Sequence, residues 1–313
     1  MSLSDIPLAG RQPASITAQA TARTSPLGRA RVSPLGRGSA GPVVTTLVVV
    51  IALLWSIPTF GLFVASFRPP QLITTTGWWS GLIPPWQFTL QNYMAVIQAQ
   101  GMGTAFLNSL IIAIPGTILP VLMGAFAAYA FAWLRFPGRT TLYFAVVALL
   151  VVPSQIALTP VLQIFTAIGF TGQYWAVWIA HTAFGLPFAI FLLRNFFAAL
   201  PKDLMESAHI DGASTFRTFW TIVLPLSVPA LASLAIFQFM WVWNDLLVSL
   251  IFLSGNPDHA PMTLTVANLV GQYGQNYQVL TAASFLSMAL PLVIFFSLQR
   301  YFVRGILAGS VKG

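Results

Sequence analysis

Apolar residues run in six long blocks separated by short polar segments: Val43 to Phe67, Thr104 to Leu134, Thr141 to Ile168, Tyr174 to Phe197, Phe219 to Leu253 and Thr281 to Val303. A hydrocarbon layer about 30 Å thick is crossed by about 20 apolar residues in a helix, so each block suffices for one crossing. The pattern predicts an all-α membrane protein with six transmembrane helices forming one spanning domain over residues 43–313. Several blocks exceed the minimum, which implies tilt or extension beyond the lipid. Pro58, Pro115, Pro120, Pro153, Pro160, Pro187, Pro225, Pro229 and Pro291 fall inside them and predict kinks, which suit a bundle that opens and closes.

Composition agrees with the block pattern. Hydrophobic residues make up 57% of the 313 and charged residues 6%, with a mean hydropathy of +0.81, too little polar surface for a soluble globule. The net charge of +8 does not mark a nucleic-acid face, because the basic residues lie between the blocks, where they report topology. Arg11 to Arg37, Arg135 with Arg139, Arg194 with Lys202 and Arg217, and Arg300 with Arg304 and Lys312 all fall on one side, and only Arg68 falls on the other. The bias predicts both termini in the cytoplasm of a multi-pass protein, with Trp78, Gly172 and Asp258 in outward loops. Trp78, Trp79, Trp86 and Tyr93 read as an interfacial aromatic belt.

Residues 1–42 are rich in Ser, Thr, Pro, Gly, Ala and Arg and repeat Ser-Pro-Leu-Gly-Arg at Ser25 to Arg29 and Ser33 to Arg37. Such a segment buries too little apolar surface to offset its ordering entropy, so a disordered basic cytoplasmic tail is expected. No cleaved leader is read in it. The absence of cysteine excludes disulfides, thiol nucleophiles and Cys-based metal sites.

One polar segment, residues 200–225, is strongly patterned. Pro201 suits a first helical position, Asp203 the positive end of a helix dipole, and Gly212 a left-handed stop, predicting a short helix and a turn. Ser214 or Thr215 can cap a second helix, on which Phe216, Phe219, Trp220 and Val223 recur at helical spacing. The product is a helix-turn-helix at the membrane surface, a compact knob with Glu206 and Asp211 available to arginines of a soluble partner.

At these residues the chain resembles the EAA loop of binding-protein-dependent ABC importers: Glu-Ala-Ala, three residues, Gly, nine residues, Ile-x-Leu-Pro. Glu206, Ser207, Ala208, Gly212, Ile222, Leu224 and Pro225 fall at those spacings, with Ser207 the single departure. The resemblance implies a permease of the type I importer fold in a bacterial plasma (inner) membrane, whose loop docks into a cleft of a separate ATPase dimer. Glu206 would be the polar anchor and Gly212 the turn, with Leu204, Met205 and Ala208 filling the socket and Asp211 beside them. The chain has no G-x-x-x-x-G-K-[ST] phosphate loop, so Mg-ATP belongs to the partner ATPase and no cofactor is expected here.

The region from Val43 to Gly313 looks like the carbohydrate-uptake branch, the maltose, trehalose and α-glucoside type, through Trp243, Asn244, Asp245 and the ending Tyr301 to Gly313. That resemblance implies the second, six-span subunit of a pair, a separate extracytoplasmic sugar-binding protein, and an oligosaccharide passed by alternating access. Asp245 is the one carboxylate in the apolar blocks and must face a partner or a wet cavity. With Trp241, Trp243 and Asn244 it could line a substrate pathway; equally, Asn244 and Asp245 could satisfy broken backbone or brace a subunit interface. Gly271, Gln272, Tyr273, Gly274 and Gln275 match in position the loop that reaches into the binding protein, and a plain flexible connection fits them as well. His181 reads as a hydrogen-bonded interior group, since no second metal ligand lies at a suitable spacing.

Two other transporters fit the composition. An ABC permease for a non-sugar solute would share every motif of the loop, and an ion-coupled secondary transporter would need more intramembrane ionisable groups than Asp245 and His181. Neither H-E-x-x-H nor G-x-S-x-G occurs, so no enzyme activity of its own is expected.

Overall fold

The computed structural model describes residues 41–99, 101–272 and 277–310. The expected tail lies outside these residues up to position 40, as does the segment 311–313. Every regular element among the described residues is helical: α1 Pro42–Ser66, α2 Pro70–Thr75, α3 Gln91–Ala99, α4 Met102–Trp133, α5 Arg139–Ala148, α6 Ser154–Ala167, α7 Tyr174–Ala198, α8 Lys202–Ile210, α9 Thr215–Thr218, α10 Leu224–Leu226, α11 Val228–Asn244, α12 Leu247–Phe252, α13 Met262–Gln272 and α14 Tyr277–Ser310. Short 3-10 turns and one π-turn, Phe219–Val223, join them. The chain divides at Leu54/Trp55 into two units. The described part of the first is the opening of α1, and the second holds all that follows.

Four helices, Pro42–Ser66, Met102–Trp133, Tyr174–Ala198 and Tyr277–Leu298, are long and apolar enough to cross a membrane unaided. The third and fifth apolar blocks are broken instead: Arg139–Val151 meets Ser154–Ala167 at 103°, and Thr215–Leu226 meets Val228–Asn244 at 77°. Counting each bent pair as one span gives up to six.

Proline chemistry accounts for both breaks. Val152 precedes Pro153 and is held at φ −76, ψ 117, because the proline ring disfavours a helical residue before it. At the other break Ser227 sits at φ −100, ψ 5 between Pro225 and Pro229. Pro229 offers no amide to the carbonyl four residues earlier, and its ring crowds that carbonyl.

The bundle is built on α4 and α7, with α11 and α14 packed alongside. Its closest approach is at Gly124, where an added Cβ would lie 2.6 Å from the Cβ of Ala189. Such small residues let membrane helices associate by backbone contact, since lipid supplies no hydrophobic drive between them. Two buried clusters result. One, around Ile112, Val177, Trp243, Phe252 and Met262, lies toward α12 and α13. The other, around Ala128, Leu193, Phe197, Phe219 and Val223, lies under α9 and its π-turn.

Arg68, the lone basic residue of the segment between the first two apolar blocks, is 3% exposed. Its guanidinium donates to Gly77 O (2.8 Å), Thr76 O (3.3 Å) and Leu72 O (3.3 Å), to Ser80 Oγ (3.0 Å), and to Thr76 Oγ1. Asn92 Nδ2 ties the same turn down by donating to Ser66 O and Arg68 O, at 2.8 and 2.9 Å. Arg68 is therefore a brace of the loop. Trp79 and Trp86 are 62% and 68% exposed, while Tyr93 meets Phe67 and shares a 2.8 Å hydrogen bond with Ser66 Oγ.

Candidate functional site

The patterned segment forms a capped helix, a turn and a second helix. Asp203 stands in the first turn of α8, and at the far end Gly212 takes φ +71 while its amide donates to His209 O (3.1 Å) and Ala213 N donates to Ala208 O (2.9 Å). These bonds satisfy the last carbonyls of α8, and the positive φ explains a glycine there. Ser207, the departure from the motif, donates its hydroxyl to Asp203 O at 2.7 Å and so is absorbed by its own helix. Ser214 is the N-cap of α9, its Oγ accepting from Arg217 N at 3.3 Å.

The second helix is seated on the spans. Tyr129 of α4 donates its hydroxyl to Thr215 O at 3.1 Å, and the Phe219 ring meets Tyr129 and Phe126 at 5.2 and 4.8 Å between centroids. Phe219 and Val223 are buried, Ile222 and Leu224 half-buried and Pro225 exposed. A force on this helix would be passed directly to α4 and, through Phe219 and Phe197, to α7.

Within α8 the inward and outward faces are clear. Ala208 is 5% exposed and Met205 packs against the chain's own cluster, so neither is free to fill a partner's socket. Glu206, Asp211 and Gly212 are exposed, and the apolar side chains that stand out are Leu204 (39%), Ile210 (85%) and Phe216 (64%). Ile210 was not singled out by sequence, its signal being apolar identity beside the turn; Phe216, read there as part of the apolar stripe of the second helix, is turned outward from it.

The second candidate constellation lies where α11 ends. Asp245 leaves the helix at φ −74, ψ 131, and its Oδ2 accepts from Val248 N at 2.8 Å, capping α12. Its carbonyl accepts from Thr263 Oγ1 at 2.9 Å, and His181 Nε2, fully buried, stands 3.9 Å from Oδ2. Neither ring nitrogen of His181 has a hydrogen-bond partner among the described residues, contrary to the expected hydrogen-bonded interior group, because the carboxylate is turned to the α12 amide. Trp241 meets the imidazole edge-on at 5.2 Å. Trp243 is 3% exposed and donates its indole N–H to Ser287 O (3.1 Å), a core contact between α11 and α14. Asn244 is exposed and donates to Met240 O at 2.7 Å. The structure thus brings Asp245, His181 and Trp241 together and turns Trp243 and Asn244 elsewhere.

At the other end of α4 from the loop, the segment after α12 is fastened to α4 and α7. Asn108 Nδ2 donates to Asp258 O (2.8 Å) and Ala260 O (3.0 Å), Tyr174 donates to Asn108 Oδ1 (2.7 Å), and Met262 N donates to Ser109 Oγ (2.9 Å). Of the expected binding-protein loop, Gly271 and Gln272 close α13, and Tyr273, Gly274 and Gln275 lie outside the described residues. No group of three or more metal-ligating side chains occurs among the described residues.

A family model described as "Binding-protein-dependent transport system inner membrane component" matches residues 120–308. The osmoprotective compounds uptake permease protein GgtD of Synechocystis sp. is 54% identical over 268 residues, covering 85% of this chain and 90% of that protein. The alpha-glucoside transport system permease protein AglG of Rhizobium meliloti is 55% identical over 235 residues, 74% of this chain and 62% of that protein's length. The trehalose transport system permease protein SugB of Mycobacterium tuberculosis is 33% identical over 275 residues, 87% of this chain and 96% of that protein. Among solved structures, a chain of a bacterial ABC transporter importing the acidic polysaccharide alginate superposes with a TM-score of 0.68 at 19% identity, covering 83% of this chain and 95% of that one.

Proposed function

The chain belongs to the binding-protein-dependent transport system inner membrane components, and from that membership we propose that it passes an oligosaccharide of the α-glucoside or trehalose class across the membrane. Power comes from a separate ATPase dimer that binds Mg-ATP and grips the loop 200–225. A second permease completes the passage, and an extracytoplasmic binding protein delivers the solute. Both termini, and the loop, are on the ATPase side.

The observation that carries this reading is the loop's build: a knob locked by the Gly212 turn, showing Glu206, Leu204, Ile210 and Phe216 outward while Tyr129 and Phe219 tie it to α4. Glu206 offers a charged anchor and the three apolar side chains offer area. Asp245 and Trp241 are proposed to meet the passage. Asp245 as the one carboxylate in the apolar blocks supports ATP over ion coupling, which draws on several such groups.

A second reading of the solute, an osmoprotective compound, is favoured by the relative of that name. The deciding experiment is uptake of labelled maltose, trehalose and a panel of osmolytes into proteoliposomes holding this chain with its co-expressed partners. The proposal expects uptake that requires ATP and the binding protein. Uptake driven by an ion gradient without ATP would refute it, and ATP-dependent uptake of osmolytes alone would replace the sugar reading by the second.

A further inference from the structure

α6 carries three faces where a lipid-facing helix needs two. Leu158 (6% exposed) and Phe165 (8%) turn to the core, with Val161 and Leu162 packed partly beside them. Ile156 (69%) and Ile164 (59%) are exposed on another side. Between these faces Gln155, Thr159, Gln163 and Thr166, all exposed, fall within an arc of about 80° at 100° per residue.

Among the described residues no side-chain hydrogen bond is made by Thr159, Gln163 or Thr166, and Gln155 Oε1 accepts one long one from Ser154 Oγ (3.5 Å). Helical threonines elsewhere, Thr182, Thr221 and Thr265, return their hydroxyls to the carbonyl four residues back, and Thr159 and Thr166 do not. An amide or hydroxyl facing hydrocarbon forfeits its hydrogen bonds, so this face does not meet lipid tails.

The backbone beside the stripe points the same way. At the 103° break before Ser154, Val151 is 84% exposed and Val152 51% exposed. Interrupted backbone inside a membrane is tolerated where protein buries it or where it lines a water-filled cavity, and none of the described residues of this chain covers it.

We propose that Gln155, Thr159, Gln163 and Thr166 line a wet passage along α6 and hydrogen-bond a polyhydroxylated solute in transit. The class of solute rests on the permease reading above; the wet passage does not. All four groups are uncharged and both donate and accept, as each hydroxyl of a sugar does, so a solute can slide along the stripe exchanging one bond for the next. Glutamine and threonine also hydrogen-bond across packed membrane helices, so a subunit interface is the competing role of this face, and co-purification separates the two.

The chain contains no cysteine, so single cysteines can be read directly. In the assembled transporter, the charged thiol reagent MTSET is expected to modify Thr159→Cys and Gln163→Cys at least tenfold faster than Ile156→Cys and Ile164→Cys. Equal rates, or no modification at positions 159 and 163, would overturn the passage whatever the solute. With labelled maltose or trehalose, Gln155→Leu/Gln163→Leu is expected to lower uptake at least tenfold while its partners still co-purify. Unchanged uptake would overturn the solute contact, and loss of co-purification would make the stripe a subunit interface and overturn the proposal. If the unaltered transporter takes up neither sugar while the labelling pattern holds, the wet passage stands and the sugar reading fails.

Discussion

At the residue scale the bundle depends on contacts that leave no room for one more carbon. Gly124→Ala would put a methyl 2.6 Å from the Ala189 Cβ and 3.4 Å from its carbonyl carbon, so α4 and α7 would have to separate. Overpacking of this kind costs about 1–3 kcal/mol. A lowered unfolding midpoint in detergent is expected, with recovery in the Gly124→Ala/Ala189→Gly pair; equal loss in single and double variants would place the cost elsewhere. Arg68→Met would strip donors from the carbonyls of Leu72, Thr76 and Gly77, at about 1–3 kcal/mol for each buried group left unpaired. The expected result is faster proteolytic cutting between Pro70 and Leu90, and unchanged protection would show that Asn92 holds the loop alone.

At the element scale the spans were legible as apolar blocks, and their breaks only as prolines. Nine prolines fall inside the blocks, yet only Pro153 and the Pro225/Pro229 pair accompany the large bends, whereas Pro58, Pro115, Pro120, Pro160, Pro187 and Pro291 sit within continuous helices. What separates them is tertiary packing around the freed carbonyl, which one sequence does not display. The knob was legible in more detail, because caps and turns are local: Gly212 and Ser214 do what their residue types permit. Which of its apolar residues face outward was not legible, since Ala208 and Met205 are turned inward by the spans beneath them. The α6 stripe, with glutamines eight apart and a threonine midway, was visible as spacing but unremarkable until exposure separated it from the core face.

The bend at Ser227 belongs to the same scale and carries its own prediction. Pro229→Ala restores an amide that can reach the Pro225 carbonyl, which favours a straighter path from α10 into α11. Spin labels at Ile210→Cys and Asn244→Cys are then expected to move apart relative to their separation with Pro229 present. An unchanged distance would mean that packing of Phe219 and Val223, and not the proline, sets the 77° angle.

At the scale of the whole molecule the loop and the spans are one mechanical path. Glu206, Leu204, Ile210 and Phe216 stand exposed on the loop; Phe219 and Tyr129 join it to α4; and α4 carries the Asn108 and Ser109 bonds that fasten the segment before α13. In the proposed coupling, closure of an ATPase on the loop would be passed along α4 to that segment. The broken third and fifth spans stand beside α4 and α7, α6 with its exposed polar stripe and α11 bringing Asp245 near His181.

The proposed coupling of the knob to an ATPase can be read from binding-protein-stimulated ATP hydrolysis in proteoliposomes holding the unaltered complex or Glu206→Ala/Ile210→Ala. Stimulation is expected to fall at least tenfold in the variant and the ATPase to be retained poorly on purification, while the variant chain keeps its unfolding midpoint. Full stimulation and full retention of the ATPase in that variant would contradict that coupling.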